Sequence, residues 1–258
     1  MLERDARLFL RSLREEGVEA LYWEPSAQAS SPAPVPAGQD TRPGTEQKAP
    51  AEKRPQPDTS ADREPKSQNA ADPLRESMLE IYWKAQNCQL CSELCSTRNK
   101  VVFGAGNLRA PIVFVGEAPG RDEDEQGLPF VGRAGQILTA LIEEMGFARK
   151  DVFICNTLKC RPPKNRPPQP EEIANCRPFL ERQLELIRPK VICALGTFAA
   201  QTLLKTEEPI SALRGKFHNY QGTPLMATYH PAYLLRNPSE KVKVSADLKL
   251  LKQELERL

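Results

Sequence analysis

The chain is 258 residues long, 27% charged and 40% hydrophobic, with a formal net charge of +2. It has no apolar run of about 18 residues, and its opening MLERDARLFL is too charged for a secretory signal, so the sequence predicts a cytoplasmic protein with no membrane segment. Residues 1–73 hold 10 Lys and Arg against 13 Asp and Glu, while residues 74–258 hold 26 against 21; the mildly basic second part is compatible with a local nucleic-acid patch but does not identify one.

Leu2, Ala6, Phe9, Leu10 and Leu13 recur at helical spacing, which predicts a short amphipathic helix within residues 1–24. Lacking a core of its own, it is expected to lie on a surface or to dock an unknown protein. In the Pro-, Ala- and Ser-rich stretch 25–72, Val35 is the one large aliphatic residue and no aromatic is present. Such a segment buries too little to offset the entropy of ordering, so a disordered linker is expected.

The folded domain is expected over 73–258. Asp72-Pro73 reads as an N-cap and first-turn proline for a helix carrying Leu74, Met78, Ile81, Tyr82 and Ala85. Four apolar runs follow, at 112–115, 152–155, 191–195 and 225–229, separated by helical patterns at 137–145, 173–187 and 198–204. A terminal helix is expected from Ser245 as N-cap, burying Leu248, Leu251 and Leu255. Apolar strands alternating with helices predict an α/β fold, a three-layer αβα sandwich around a central four-stranded parallel sheet. Ligands of such sheets bind beyond the carboxyl ends of the strands, so Gly116–Gly120, Asn156–Cys160, Gly196-Thr197 and His230-Pro231 are where chemistry is expected.

Seven cysteines in a reducing compartment point to metal ligation or core packing in place of disulfides. Cys88 and Cys91 form a C-x2-C pair, and Cys160 and Cys176 lie outside the strand runs. Four thiolates suit zinc or an iron-sulfur cluster, and the long gap from Cys91 to Cys160 favours a cluster over a compact zinc ribbon. Cys155 and Cys193 fall inside apolar runs and read as small buried side chains, whereas Cys95 is close enough to Cys88 and Cys91 to serve as an alternative ligand.

The segments GEAPGRDEDEQGLPFVGRAGQ (116–136), NTLKCRPP (156–163) and HPAYLLR (230–236), with cysteines at 88, 91, 160 and 176, resemble the family 4 uracil-DNA glycosylases over about residues 75–255. The resemblance implies a 4Fe-4S cluster on those four cysteines, uracil-containing DNA as substrate, single- or double-stranded, and hydrolysis of the bond between uracil N1 and deoxyribose after the nucleotide is flipped out. Phe130 then stacks on the base. Asn156 presents its amide to uracil O4 and N3, a pattern that cytosine reverses. His230 faces O2, where charge grows as the base leaves.

By the same resemblance Glu117 orients the attacking water, the Ala118 backbone N–H touches the base, and Glu123 blocks a thymine methyl. Asp124 shares their loop and is a further candidate for the water. Leu234 is expected to fill the hole left by the base and Arg236 to grip phosphate, while Arg161, Lys164 and Arg166 lie in a stiff, proline-rich loop suited to DNA. Without a lysine or terminal amine in a recognised motif to form a Schiff base, the enzyme is expected to be monofunctional, a monomer that leaves an abasic site. The alternative is a noncatalytic, cluster-containing DNA-binding or polymerase-associated module, against which intact Asn156 and His230 argue. A zinc-stabilised structural protein leaves three motif loops at strand ends unexplained.

Overall fold

The computed structural model describes residues 72–258. The helix expected within 1–24 and the linker expected over 25–72 lie outside them, apart from Asp72. That aspartate caps the Pro73–Gln86 helix as expected, accepting from the Leu74 N–H at 3.2 Å, and its carboxylate also binds Arg109.

The expected parallel strands are present as β2 (Ile112–Gly116), β3 (Phe153–Asn156), β4 (Val191–Leu195) and β6 (Thr223–Thr228). The sheet has six strands where four were expected. Two antiparallel edges, β1 (Ala105–Gly106) and β5 (Phe217–Tyr220), complete the order β1-β3-β2-β4-β6-β5. β5 joins β6 through Gln221-Gly222, both at positive φ, a two-residue hairpin whose twist suits the strands.

Helices cover both faces, so the strands alternate between two cores. Val113, Val115, Phe153, Cys155, Ile192, Ala194, Leu225 and Ala227 pack with the Pro73–Gln86, Pro170–Ile187 and Thr197–Leu204 helices. Ile112, Phe114, Ile154, Val191, Cys193 and Met226 pack with the Arg133–Glu144, Pro231–Arg236 and Lys241–Arg257 helices. Burial on both faces is why these strands are apolar nearly throughout, and Cys155 and Cys193 are buried members of them.

The terminal helix begins at Lys241, one turn before the expected Ser245 cap. Val244 extends the buried stripe backward, and the Ser245 hydroxyl bonds Glu144 instead of capping.

Candidate active site

Parallel register sets Gly116, the last residue of β2, beside Asn156, the last of β3. The two loops that follow are tied by Thr157 N–H to Gly116 C=O at 2.9 Å and Leu158 N–H to Glu117 C=O at 3.0 Å. A Cβ on Gly116 would lie 2.3 Å from Asn156 Oδ1 and 2.6 Å from the Phe130 ring, so the missing side chain is what lets amide and ring share this corner. Asn156 is buried, and among the described residues its Oδ1 has no hydrogen-bond partner. Leaving a buried acceptor unpaired costs about 1–3 kcal/mol, so a donor brought to this corner by a ligand is favoured.

Phe130 is buried and held at φ +52°, a strained backbone for a residue with a bulky side chain. Its main chain lies where a Gly135 Cβ would be, within 1.9 Å, so the turn closes only because residue 135 has none. Glu123 fixes the loop, accepting from the Val131 and Gly132 N–H groups, both at 3.0 Å, and from Gly120 at 3.1 Å. Glu123, expected to block a thymine methyl, is held in place by these three loop bonds.

Phe130 stands over His230, ring centroids 5.5 Å apart and tilted 31°. His230 precedes the Pro231–Arg236 helix and caps it, its Nδ1 accepting from the Ala232 N–H at 3.1 Å. A ring nitrogen that accepts carries no hydrogen, so the neutral imidazole holds its proton on Nε2. Burial, reinforced by the Arg236 charge, lowers its pKa from the ordinary 6.5 to about 4, which keeps the ring neutral at physiological pH.

Gly196, at φ +89°, leaves room for the His230 Cβ, which lies 2.9 Å from where its own would be. The end of β6 is fixed from below, where Thr228 donates to Asp247 at 2.5 Å and Arg214 binds the same carboxylate. The glycine contacts and this Arg214–Asp247 pair escape motif reading, although Gly116 and Gly196 each end a strand run, where close approach is a reason for glycine.

Glu117 is half-buried, and desolvation alone raises its carboxyl above the ordinary glutamate range. The Ala118 side chain packs on the first core. Asp124, a further candidate for the water, is fully buried and accepts from Asn99 N–H, Asn99 Nδ2 and Lys100 N–H; its contacts make it a brace for the loop.

In the Pro231–Arg236 helix, Leu234 is 3% exposed and belongs to the second core, whereas Leu235 is 41% exposed and Arg236 is exposed. A wedge has to project from the surface, so the wedge expected at Leu234 does not suit its placement. In the proline-rich loop Lys164 is exposed, but Arg166 pairs with both Glu172 and Glu93 and staples two helices together instead of facing solvent.

Cys88, Cys91, Cys160 and Cys176 line one small cavity with Cys95 and Arg98. Arg98 donates to Cys160 Sγ at 3.1 Å and to the Cys88 carbonyl at 2.8 Å; the Lys159 backbone N–H donates to Cys176 Sγ at 3.2 Å. Burial pushes the Cys176 thiol up to about 12 and raises Cys91 and Cys160, with Arg98 opposing the shift at Cys160. His218, in β5, bonds the Leu213 carbonyl.

Residues 103–256 match the family model described as the uracil DNA glycosylase superfamily. The chain is 45% identical over 182 residues to a type-4 uracil-DNA glycosylase of Archaeoglobus fulgidus, covering 67% of this chain and 91% of that protein. It is 47% identical over 172 residues to the type-4 enzyme of Thermotoga maritima, covering 66% and 89%, and 45% identical over 181 residues to that of Saccharolobus solfataricus, covering 67% and 83%. By its fold, its strand-end motifs and these matches, the chain belongs to the uracil-DNA glycosylase superfamily, with the type-4 enzymes among its relatives.

Proposed function

We propose that the chain is a monofunctional uracil-DNA glycosylase of base excision repair, acting as a cytoplasmic monomer on uracil in single- or double-stranded DNA. The observation that carries this reading is the buried Asn156 amide, its Oδ1 unpaired among the described residues, in the corner formed by Gly116 and Phe130. Uracil offers a donor at N3 and an acceptor at O4. One amide satisfies both, and cytosine presents the opposite pair. Phe130 supports the face of the flipped base.

In the reaction, water attacks C1′, the bond to N1 breaks, and uracil leaves with negative charge shared by O2. The neutral His230 donates from Nε2 to that oxygen, a donor aimed at charge that develops only as the bond breaks. Glu117 as carboxylate orients the water and takes its proton, and the Ala118 backbone N–H meets the base. Glu123 shapes the space at the 5-position through the loop it holds. Lys159, close in sequence to Asn156, has its ammonium bonded to a carbonyl and an amide oxygen, which leaves it no role as a Schiff-base nucleophile. Leu235, on the helix that His230 caps, is the apolar side chain available to fill the vacated stack, and Arg236 to hold phosphate.

Cys88, Cys91, Cys160 and Cys176 fit a 4Fe-4S cluster. The four thiols line one cavity and come from segments far apart in the chain, a donor set that a 4Fe-4S cluster takes and a compact zinc ribbon does not need. When bound, the cluster supplies metal–thiolate bonds that tie the segment before β1 to the Pro170–Ile187 helix. The Cys95 thiol points to the Cys88 carbonyl at 3.4 Å, which favours the other four as ligands.

The test is incubation with a labelled uracil oligonucleotide followed by alkali. Strand cleavage after alkali and not before is expected; an intact strand, or a nick without alkali, contradicts the reading.

A further inference from the structure

Lys159 stands between the cysteine cavity and the base-reading amide. Its side chain is 1% exposed. The ammonium donates to the Asn156 carbonyl at 2.8 Å and to Gln183 Oε1 at 2.6 Å, and lies 5.9 Å from the centre of the Phe103 ring. Gln183 is itself held by donating to the Phe103 carbonyl at 2.9 Å. All these partners are neutral, and among the described residues no carboxylate forms an ion pair with Lys159. A buried ammonium without a counter-charge is costly enough that proteins pair it or leave it out.

The groups able to carry that counter-charge are thiols. The backbone N–H of Lys159 donates to Cys176 Sγ at 3.2 Å, Cys160 is the next residue, and Arg98 reaches Cys160 Sγ from the other side at 3.1 Å. The Lys159 charge is felt at Cys176 and the Arg98 guanidinium adjoins Cys160, so two cations act on cysteines that, as neutral thiols, would not need them.

We propose that Lys159 is a buried counter-charge of the four-thiolate site and the positioning residue that ties this site to the Asn156 strand end. The inference rests on the cluster reading given above. Thiolates around an iron-sulfur core leave net negative charge, which makes a buried ammonium favourable. The ammonium in turn fixes the carbonyl of the residue whose side chain reads uracil. Removing it withdraws positive charge from beside the cluster, which makes reduction harder, and frees the end of β3.

The full chain is prepared anaerobically as the parent and as Lys159→Met and Lys159→Arg, with iron and sulfide determined for each. Two quantities are read: the midpoint potential of the cluster, and the preference for a duplex bearing a non-cleavable 2′-fluoro deoxyuridine over the same duplex with thymidine. Lys159→Met is expected to shift the potential to more negative values and to weaken the preference by about tenfold, the loss of one hydrogen bond from a charged donor. Lys159→Arg is expected to return the potential toward the parent's.

A loaded Lys159→Met with the parent's potential and preference overturns the proposal. If Lys159→Met takes up no cluster while Lys159→Arg does, the need for the charge is supported. If neither loads, Gln183→Leu decides: it keeps the ammonium but removes its amide partner, and an unchanged uracil preference there overturns the proposal. A parent chain without iron and sulfide defeats the cluster reading itself, an outcome distinct from a loaded parent whose potential ignores Lys159.

Discussion

Gly116 and Asn156 are register partners at the ends of adjacent parallel strands, and the space a Gly116 side chain would take is filled by the Asn156 amide. Gly116→Ala therefore has to displace the amide, the Phe130 ring or both. Because misplacement by about 1 Å at a reacting site can cost on the order of a hundredfold, single-turnover uracil release is expected to fall at least that far. The melting temperature should change less, since the strand's own pairing is kept; parent-like release would show the close approach to be dispensable.

His230 is expected to act as a neutral donor. With its pKa lowered to about 4, protonation does not interrupt activity between pH 5 and 8, and an acid limb in the rate should follow Glu117, whose carboxyl burial raises. His230→Ala should slow the chemical step by about a hundred- to a thousandfold with little loss of DNA affinity, measured by single-turnover kinetics with binding in parallel. The same shift bears on stability. Between 6.5 and about 4 the unfolded chain binds a proton that the native ring refuses, so this contribution is complete above 6.5 and lost as pH falls toward 4. Melting of the parent and His230→Ala across that window should converge on the acid side.

Leu234 and Leu235 should separate stability from DNA distortion. Leu234→Ala removes a buried core side chain and should destabilise by about 2–4 kcal/mol. Leu235→Ala should leave stability within about 0.5 kcal/mol while slowing release from duplex more than from single-stranded substrate, which has no stack to fill. Denaturant unfolding and release from the two substrates check both halves, and the opposite pattern would return the wedge to Leu234.

Cys160→Ala should abolish stoichiometric iron and sulfide and lower the melting temperature, because ligand binding that joins distant segments is folding energy. Metal analysis and calorimetry read this without reference to activity. Unchanged iron would place the ligand elsewhere, with Cys95 the nearest candidate.

The parallel strands are legible because burial on both faces leaves continuous apolar runs such as Val191–Leu195. The edges are not. Ala105–Gly106 is too short for any period to register, and Phe217–Tyr220 has a mostly exposed or half-buried FHNY pattern that its pairing with β6 overrides. Asn156 and His230 could be singled out because each follows an apolar run, where a parallel sheet presents its ligands. Which of two adjacent leucines faces outward could not be read from a six-residue helix, and the loop bonds of Glu123 and Asp124 depend on residues distant in sequence or on main-chain N–H groups that no motif displays. Lys159 sits inside a quoted motif, yet its importance rests on burial without an anion, which spacing does not reveal.

The reading of uracil by Asn156 is tested most directly by single-turnover base release from two duplexes that differ only in uracil or cytosine at one position, using the parent and Asn156→Asp. The parent should release uracil and leave cytosine in place. Asn156→Asp, which exchanges the donor needed by O4 for a second acceptor, should lose at least about a hundredfold on uracil at neutral pH, or lose its discrimination against cytosine. Release of uracil by Asn156→Asp at the parent's rate, with cytosine still refused, would contradict the assignment of this amide as the group that recognises the base.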